Sequence, residues 1–419
     1  MGVPSELARR ALFRALSRIR RERIEITEGG SHYGFGPAGA RLRARLEVLD
    51  PRAYSWALRG STGLGEGYIE GLWRSSDLVA LSRIACRNLP RLDAMRRRAH
   101  PVLGRIQRAV DLVPRNTRSG ARANISAHYD LGNELFEAFL DQRLIYSAAV
   151  FPAPDASLED AQLLKLERIC EALDLGPDDH LLEIGTGWGG LAVHAASTRG
   201  CRVTTTTISR EQRAYAVERV RKEGLDDRIE VLLTDYRDLG GTYDKLASIE
   251  MIEAVGWQYF PAFFAKCSEL TKPGGTMFLQ AIVIEDDNYE TEKAARSFSN
   301  KHIFPGGCLP SLAVITELGA ASGIPVTRCD EISSDYARTL EIWRQRFNDA
   351  WPGLLPNGYD ERFRRLWNFY LASAEGGFRE RRIRDLQIVM SKPGGRPGKA
   401  EERAWRSPIH APARANLSS

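Results

Sequence analysis

The chain has 419 residues, of which 43% are hydrophobic and 27% charged, the profile of a soluble globular protein with room for two domains. No apolar run approaches the roughly 20 residues that span a bilayer, and the six scattered cysteines form no CxxC pair, so neither a metal site nor a disulfide framework is expected. The formal net charge of +5 is concentrated in two basic stretches, "ELARRALFRALSRIRRER" and "RNLPRLDAMRRRAHPVLGRIQR".

In chain order, residues 1–112 read as a smaller, basic N-terminal α+β domain. The first basic stretch places Leu12, Leu16 and Ile19 at helical spacing with Phe13 beside them. Its arginines are either a solvated helix face or a face turned to an anionic membrane surface. Neither basic stretch carries a nucleic-acid-binding motif, and nucleic acid is not an expected partner. "RLRARLEVLD" is strand-like, and "GSTGLGEGYIEGLW" reads as turn-rich. Residues 113–123 form a Pro/Gly/Ser/Asn/Arg linker, 124–392 alternate strand and helix, and 393–419 are a polar, disordered tail. The N-terminus has no secretory h-region, and a cytoplasmic location is expected.

Within 124–392, "DHLLEIG" is the first strand and "GLAVHAAST" begins the helix behind it. "CRVTTTTIS" is the second strand, rich in β-branched residues. "SREQRAYAVERVRKEG" is a helix capped by Ser209 and stopped by Gly224. "RIEVLLTDY", "YDKLASIEM" and "GGTMFLQAIVI" are the third, fourth and fifth strands. Ligands of such sheets sit beyond the carboxyl ends of the strands, so the residues just after each strand are the candidates.

After the first strand the chain reads "EIGTGWGG". Gly185, Gly187 and Gly189 allow a tight turn with the backbone against a ligand, a pattern shared by dinucleotide and S-adenosylmethionine sites. A dinucleotide site calls for an acid about 20 residues on, at the ribose; here that stretch is "RVTTTTISR", with none. Glu183, just before the turn, suits a ligand that carries an ammonium and a sulfonium. Asp235 closes the third strand, placed for an adenine amino group, and Tyr236 can stack on the ring. The combination favours S-adenosylmethionine.

"ISAHYDLGNELFEAFLD", "YSAAVF", "LLEIGTGWGG", "TISREQ", "DYRDL", "EMIEAVG", "HIFPGGCLPS", "DYARTLEIWRQRF" and "EGGFR" occur in that order. Together they resemble the cyclopropane-fatty-acyl-phospholipid synthases and fatty acid C-methyltransferases. The resemblance implies a doubly wound, Rossmann-like α/β methyltransferase domain with a helical lid. It implies that Tyr146 and Ser147 hold the methionine end of the cofactor, Gly185 and Gly187 the turn, Thr207 and Gln212 the ribose side, and Asp235 with Tyr236 the adenine. The implied reaction adds a one-carbon unit to the double bond of a phospholipid acyl chain through a carbocation, which needs a dry, aligned site.

The resemblance also implies a bicarbonate ion as base, held by a cysteine, a glutamate, a histidine, a tyrosine and a main-chain group. Glu253, Tyr336 and the main chain of Ile282 match three of these. The cysteine position is Ala148, the histidine position Gln280, the neighbouring "FEH" histidine Ala254, and a late cysteine Ala374. Glu253 and Tyr336 are therefore the candidate catalytic residues, with Tyr129, Gln280 and Ile282 in the anion or substrate pocket. Two products stay open, a cyclopropane or a methyl or methylene branch, alongside a lipid-binding pseudoenzyme that has lost the anion site. "FPGGCLPS" competes between a plain connector and a lid, and Cys308, His194 and His302 read as structural. The expected partners are phospholipid acyl chains and, through the basic N-terminus, the anionic inner face of the membrane; a homodimer is also considered.

Overall fold

The computed structural model describes residues 5–90, 116, 117, 120 and 132–394. Most of the expected linker, Tyr129 with His128, residues 91–108 of the second basic stretch and the tail from residue 395 lie outside the described residues.

Helix Ser5–Leu16 forms as its spacing predicts, but its apolar side is turned inward. Phe13 packs its ring 4.9 Å from Phe35 and 5.0 Å from Tyr33, and Ile19 just beyond the helix is buried. Arg10 and Arg14 are left on the exposed side. The helix lies against a four-stranded sheet of order β2-β1-β3-β4, made of Arg23–Glu28 (β1), Ser31–Phe35 (β2), Arg43–Val48 (β3) and Trp73–Ser75 (β4). β1 and β2 form a hairpin across Gly29 and Gly30, both at positive φ, the two-residue turn whose twist matches the strands.

"GSTGLGEGY" is helix Gly60–Ile69, not a turn region. Tertiary packing overrides the low helix propensity of glycine. A Cβ on Gly63 would lie 2.0 Å from the Trp56 carbonyl oxygen, and one on Gly65 would lie 2.4 Å from the Phe298 ring. The bare face lets the helix approach its neighbours closely.

The larger sheet has seven strands in the order β10-β11-β9-β8-β5-β6-β7. His180–Ile184 (β5), Arg202–Thr207 (β6), Ile229–Leu233 (β7), Tyr243–Ile249 (β8) and Thr271–Ile284 (β9) are the five expected strands and pair in parallel. Val326–Glu331 (β10) and Ile383–Ser391 (β11) extend it with antiparallel pairs. The chain builds outward from β5 to β7 and then returns to β8 on the other side of β5. That reversal opens a crevice at the carboxyl ends of β5 and β8, the usual ligand position in such sheets.

Helices Ser333–Leu354 and Glu361–Arg379 pack against each other around Trp343, Phe347, Trp351 and Trp367. Their core is continuous with that of the small sheet, through Trp73, Ile84 and Phe369. Polar ties cross the same boundary: Glu380 accepts from Arg83 and Arg87 at 2.6 Å each, and Ser82 Oγ donates to the Ser373 carbonyl at 3.1 Å. Among the described residues, no helix is long and apolar enough to cross a membrane.

Candidate active site

The crevice holds a cavity of about 180 Å³ whose walls include Tyr146, Ser147, Lys165, Glu183, Gly185, Gly187, Thr207, Gln212, Asp235, Tyr236 and Glu250. Ten residues were expected at a cofactor, and nine of them meet here. Gly189, the tenth, lies one step behind as the left-handed N-cap of helix Gly190–Arg199, where its missing Cβ lets the helix pack against Ala216.

The turn is built as its glycines require. Gly185 has φ +106° and Gly187 φ +51°, and a Cβ on Gly185 would press on Met251 at 3.3 Å. Glu183, next to last in β5, is buried, with Oε2 accepting from Thr205 Oγ1 at 2.6 Å. Burial pushes its carboxyl up to about 8, against the pull of the Thr205 bond. A cation above the turn would reverse that shift, as expected of an acid that meets a sulfonium or ammonium. Thr207 Oγ1 donates to Gln212 Oε1 at 2.9 Å, a polar pair at the cavity wall.

Asp235 keeps its place at the cavity wall but is also bound by Arg237, whose Nε and Nη2 donate at 2.8 and 2.6 Å. Arg237 donates in turn to the Asn116 carbonyl at 3.2 Å, and Asn116 bonds the Ala254 and Gly306 carbonyls at 2.9 Å each. Asn116, counted as linker in the sequence, thus reaches the cavity wall. Tyr236 packs edge-on against Phe263.

The residues assigned to an anion separate into two groups. Glu253 Oε1 accepts from the Ile282 N–H at 2.6 Å, as expected, but Oε2 is buried with no hydrogen-bond partner among the described residues. Burial, reinforced by the neighbouring Glu250 charge, pushes the Glu253 carboxyl up to about 8. Glu253 does not line the cavity. "FPGGCLPS" closes over it: the Cys308 N–H donates to the Glu253 carbonyl at 2.8 Å. Burial pushes the Cys308 thiol up to about 12, which fits a structural role.

Tyr336 and Gln280 instead converge on Glu250, three residues earlier. Glu250 Oε2 accepts from Tyr336 Oη at 2.7 Å. Its Oε1 accepts from Gln280 Nε2 at 2.7 Å and from the Ala148 N–H at 2.8 Å. Gln280 Nε2 also bonds Asp385 at 2.9 Å, and Gln280 Oε1 accepts from Gln387 at 3.1 Å. Lys165, fully buried, donates to Ser147 Oγ at 2.6 Å. Burial pulls its ammonium down to about 8, and the Glu250 carboxylate is the largest influence holding it up. Burial raises the carboxyls of Glu250 and Asp385.

Sequence reasoning missed Glu250, Lys165 and Asp385. Glu250 was visible as a second acid at the carboxyl end of β8, where ligands are expected. Lys165 shares a helical face with Leu158, Ala161 and Ile169, all buried, so periodicity marks it as a lysine on a core face.

Aromatic rings wall this end of the site. Tyr336 stacks on Phe378 with centroids 4.4 Å apart, and Tyr146 lies 5.3 Å from Trp343 with its hydroxyl 3.1 Å from that of Tyr370. Such faces stabilise positive charge in a water-poor setting.

Comparison with known proteins agrees with this geometry. A model of the mycolic acid cyclopropane synthetase family matches residues 116–388. The chain is 37% identical over 343 residues to the tuberculostearic acid methyltransferase UfaA1 of Mycobacterium tuberculosis, covering 80% of each chain. It is 37% identical over 353 residues to the cyclopropane-fatty-acyl-phospholipid synthase of Escherichia coli K12, covering 83% of this chain and 88% of that one. Among solved structures it is similar to the cyclopropane synthase MmaA2 of M. tuberculosis, with a TM-score of 0.61 and 27% identity over 67% of this chain and 100% of that one. It is equally similar to the mycolic acid cyclopropane synthase CmaA1 complexed with S-adenosylhomocysteine, at a TM-score of 0.61 and 28% identity over 65% of this chain and 98% of that one. The chain thus belongs to the mycolic acid cyclopropane synthetase family as an S-adenosylmethionine-dependent methyltransferase.

Proposed function

We propose that the protein adds a one-carbon unit from S-adenosylmethionine to the double bond of an unsaturated acyl chain in membrane phospholipid. The observation that carries this reading is the meeting, in one buried site, of a glycine turn for a sulfonium donor with aromatic walls and a carboxylate. The cofactor supplies an electrophilic methyl group. The residues Glu183, Gly185 and Gly187 hold its methionine side, and Tyr146, backed by Trp343, keeps water away from the weakly nucleophilic alkene.

A cyclopropane is the first reading of the product. A methyl or methylene branch is the second, and the engagement of Tyr336 and Gln280 by Glu250 favours it, because two of the donors assigned to a ring-forming anion are differently used. Both products lose a proton from the transferred methyl group; they differ in whether a hydride shift comes first. A carboxylate inside the site also favours an enzyme over a pseudoenzyme.

The exposed arginines of the N-terminal helix support peripheral binding at an anionic, cytoplasmic membrane face, by attraction screened within about 8 Å at physiological salt. The test incubates the protein with S-adenosylmethionine and vesicles of unsaturated phosphatidylglycerol and analyses the fatty esters by mass before and after hydrogenation. A gain of one CH₂ supports the reading, and saturation of the product by mild hydrogenation assigns the branch. Unchanged esters would overturn it.

A further inference from the structure

Glu250 is a costly residue to build. Its φ of +48° is left-handed, a conformation that residues other than glycine keep only where their surroundings enforce it. Here the surroundings do so through the side chain: the Ala148 N–H, Gln280 Nε2 and Tyr336 Oη hold both carboxylate oxygens at 2.7–2.8 Å. Glu250 lines the cavity that also holds Tyr146, Ser147 and the glycine turn. Lys165 and Asp385 both act electrostatically on the same group.

Two of these donors stand where the family resemblance places ligands of bicarbonate, and the third is a main-chain N–H at another of those positions. Tyr336 and Gln280 occupy two of its ligand positions, and Ala148 occupies the cysteine position, which removes the thiol. A free anion on these donors does not fit this chain, because a side-chain carboxylate already holds them. Resting on the function proposed above, we propose that Glu250 is the base of the reaction, a covalently fixed carboxylate that makes bound bicarbonate unnecessary.

The step balances without any further reactant. The alkene π pair forms a bond to the methyl carbon as the carbon–sulfur bond breaks, its electrons leaving with the neutral thioether. The positive charge passes to the other olefinic carbon. Glu250 takes a proton from the transferred methyl group, and the released C–H pair closes the ring or, after a hydride shift, forms the exocyclic double bond. The Glu250 acid then returns its proton to solvent. Burial raises the affinity of this carboxylate for a proton, the direction a base requires.

The test compares turnover on unsaturated phosphatidylglycerol vesicles in carbon-dioxide-stripped buffer with and without added bicarbonate. Wild-type turnover is expected to be the same in both. Glu250→Gln is expected to lower kcat by about 10²- to 10⁴-fold with S-adenosylhomocysteine affinity and melting temperature unchanged. Glu250→Gly relieves the left-handed backbone and frees the three donors, and its turnover is expected to recover when bicarbonate or formate is added. Stimulation of the wild type by bicarbonate, or near-wild-type turnover of Glu250→Gln, overturns this inference while leaving the proposed function standing. Absence of product from the wild type in either buffer overturns both.

Discussion

Glu253→Gln gives a sharp test of the electrostatics, because it removes a titration while nearly preserving shape. The wild-type carboxyl is fully buried and sits near 8 instead of the ordinary 4.5, burial being the main cause and the Glu250 charge the second. The folded protein therefore keeps a proton that the unfolded chain releases. Stability is fully present below pH 4.5 and is lost as pH rises toward about 8. The fall reaches roughly 1.4 kcal/mol per pH unit, and of the order of 5 kcal/mol across the window.

Glutamine keeps the oxygen that accepts from the Ile282 N–H but cannot ionise. Leaving its amide hydrogens without an acceptor costs about 1–3 kcal/mol, the same at every pH. The discriminating quantity is therefore the slope. Unfolding by denaturant, measured at several pH values in this window, should give a variant whose stability falls less steeply than wild type by about 1.4 kcal/mol per pH unit. Glu183, raised to about 8 in the same way, leaves a residual slope that Glu183→Gln would reduce further. Parallel curves for wild type and Glu253→Gln would refute the reasoning and show that Glu253 is ionised in the folded protein at neutral pH.

Binding of S-adenosylmethionine should tighten as pH rises through the interval between 4.5 and about 8, by at most about tenfold per pH unit, since the cationic ligand selects ionised Glu183. Calorimetry of wild type and Glu183→Gln checks this, with a weaker, flatter profile expected from the variant. Tyr336→Phe removes the 2.7 Å bond to the Glu250 carboxylate. A charge-assisted bond worth about 1.5–3 kcal/mol predicts a loss in kcat of roughly 10- to 100-fold, with cofactor affinity unchanged. Gly65→Ala separates packing from propensity: propensity favours alanine by about 1 kcal/mol, whereas a Cβ 2.4 Å from Phe298 predicts a net loss of about 1–3 kcal/mol and a lower melting temperature.

The elements most legible in the sequence were those with one dominant local signal. The five parallel strands announced themselves by apolar or β-branched runs, and Ser209 capped its helix as read, accepting from the Gln212 N–H. The antiparallel strands β10 and β11 were missed because polar residues interrupt them: Asp385 and Gln387 are buried, but their partner is Gln280 across the sheet, a relation no local pattern carries. Gly60–Ile69 was misread because its glycines serve close tertiary packing. The inward face of Phe13 was hidden for a related reason, since an amphipathic helix has the same sequence whether it faces a membrane or a small sheet.

At the site, the glycine turn was readable because the contiguous motif "EIGTGWGG" fixes it at the end of one strand. The Glu250 arrangement joins residues 148, 250, 280 and 336, which only the fold brings together. Resemblance pointed to positions 148, 280 and 336 but paired them with Glu253, whereas in the fold they meet Glu250, three residues earlier in "EMIEAVG".

The central claim, that a methyl group is delivered to a lipid olefin and then loses a proton to a carboxylate in the site, meets its most direct test with S-adenosylmethionine labelled as CD₃. Mass analysis of the fatty esters is predicted to show an added carbon that retains two of its three deuterons. Retention of all three, or no label in the acyl chains, would contradict the account.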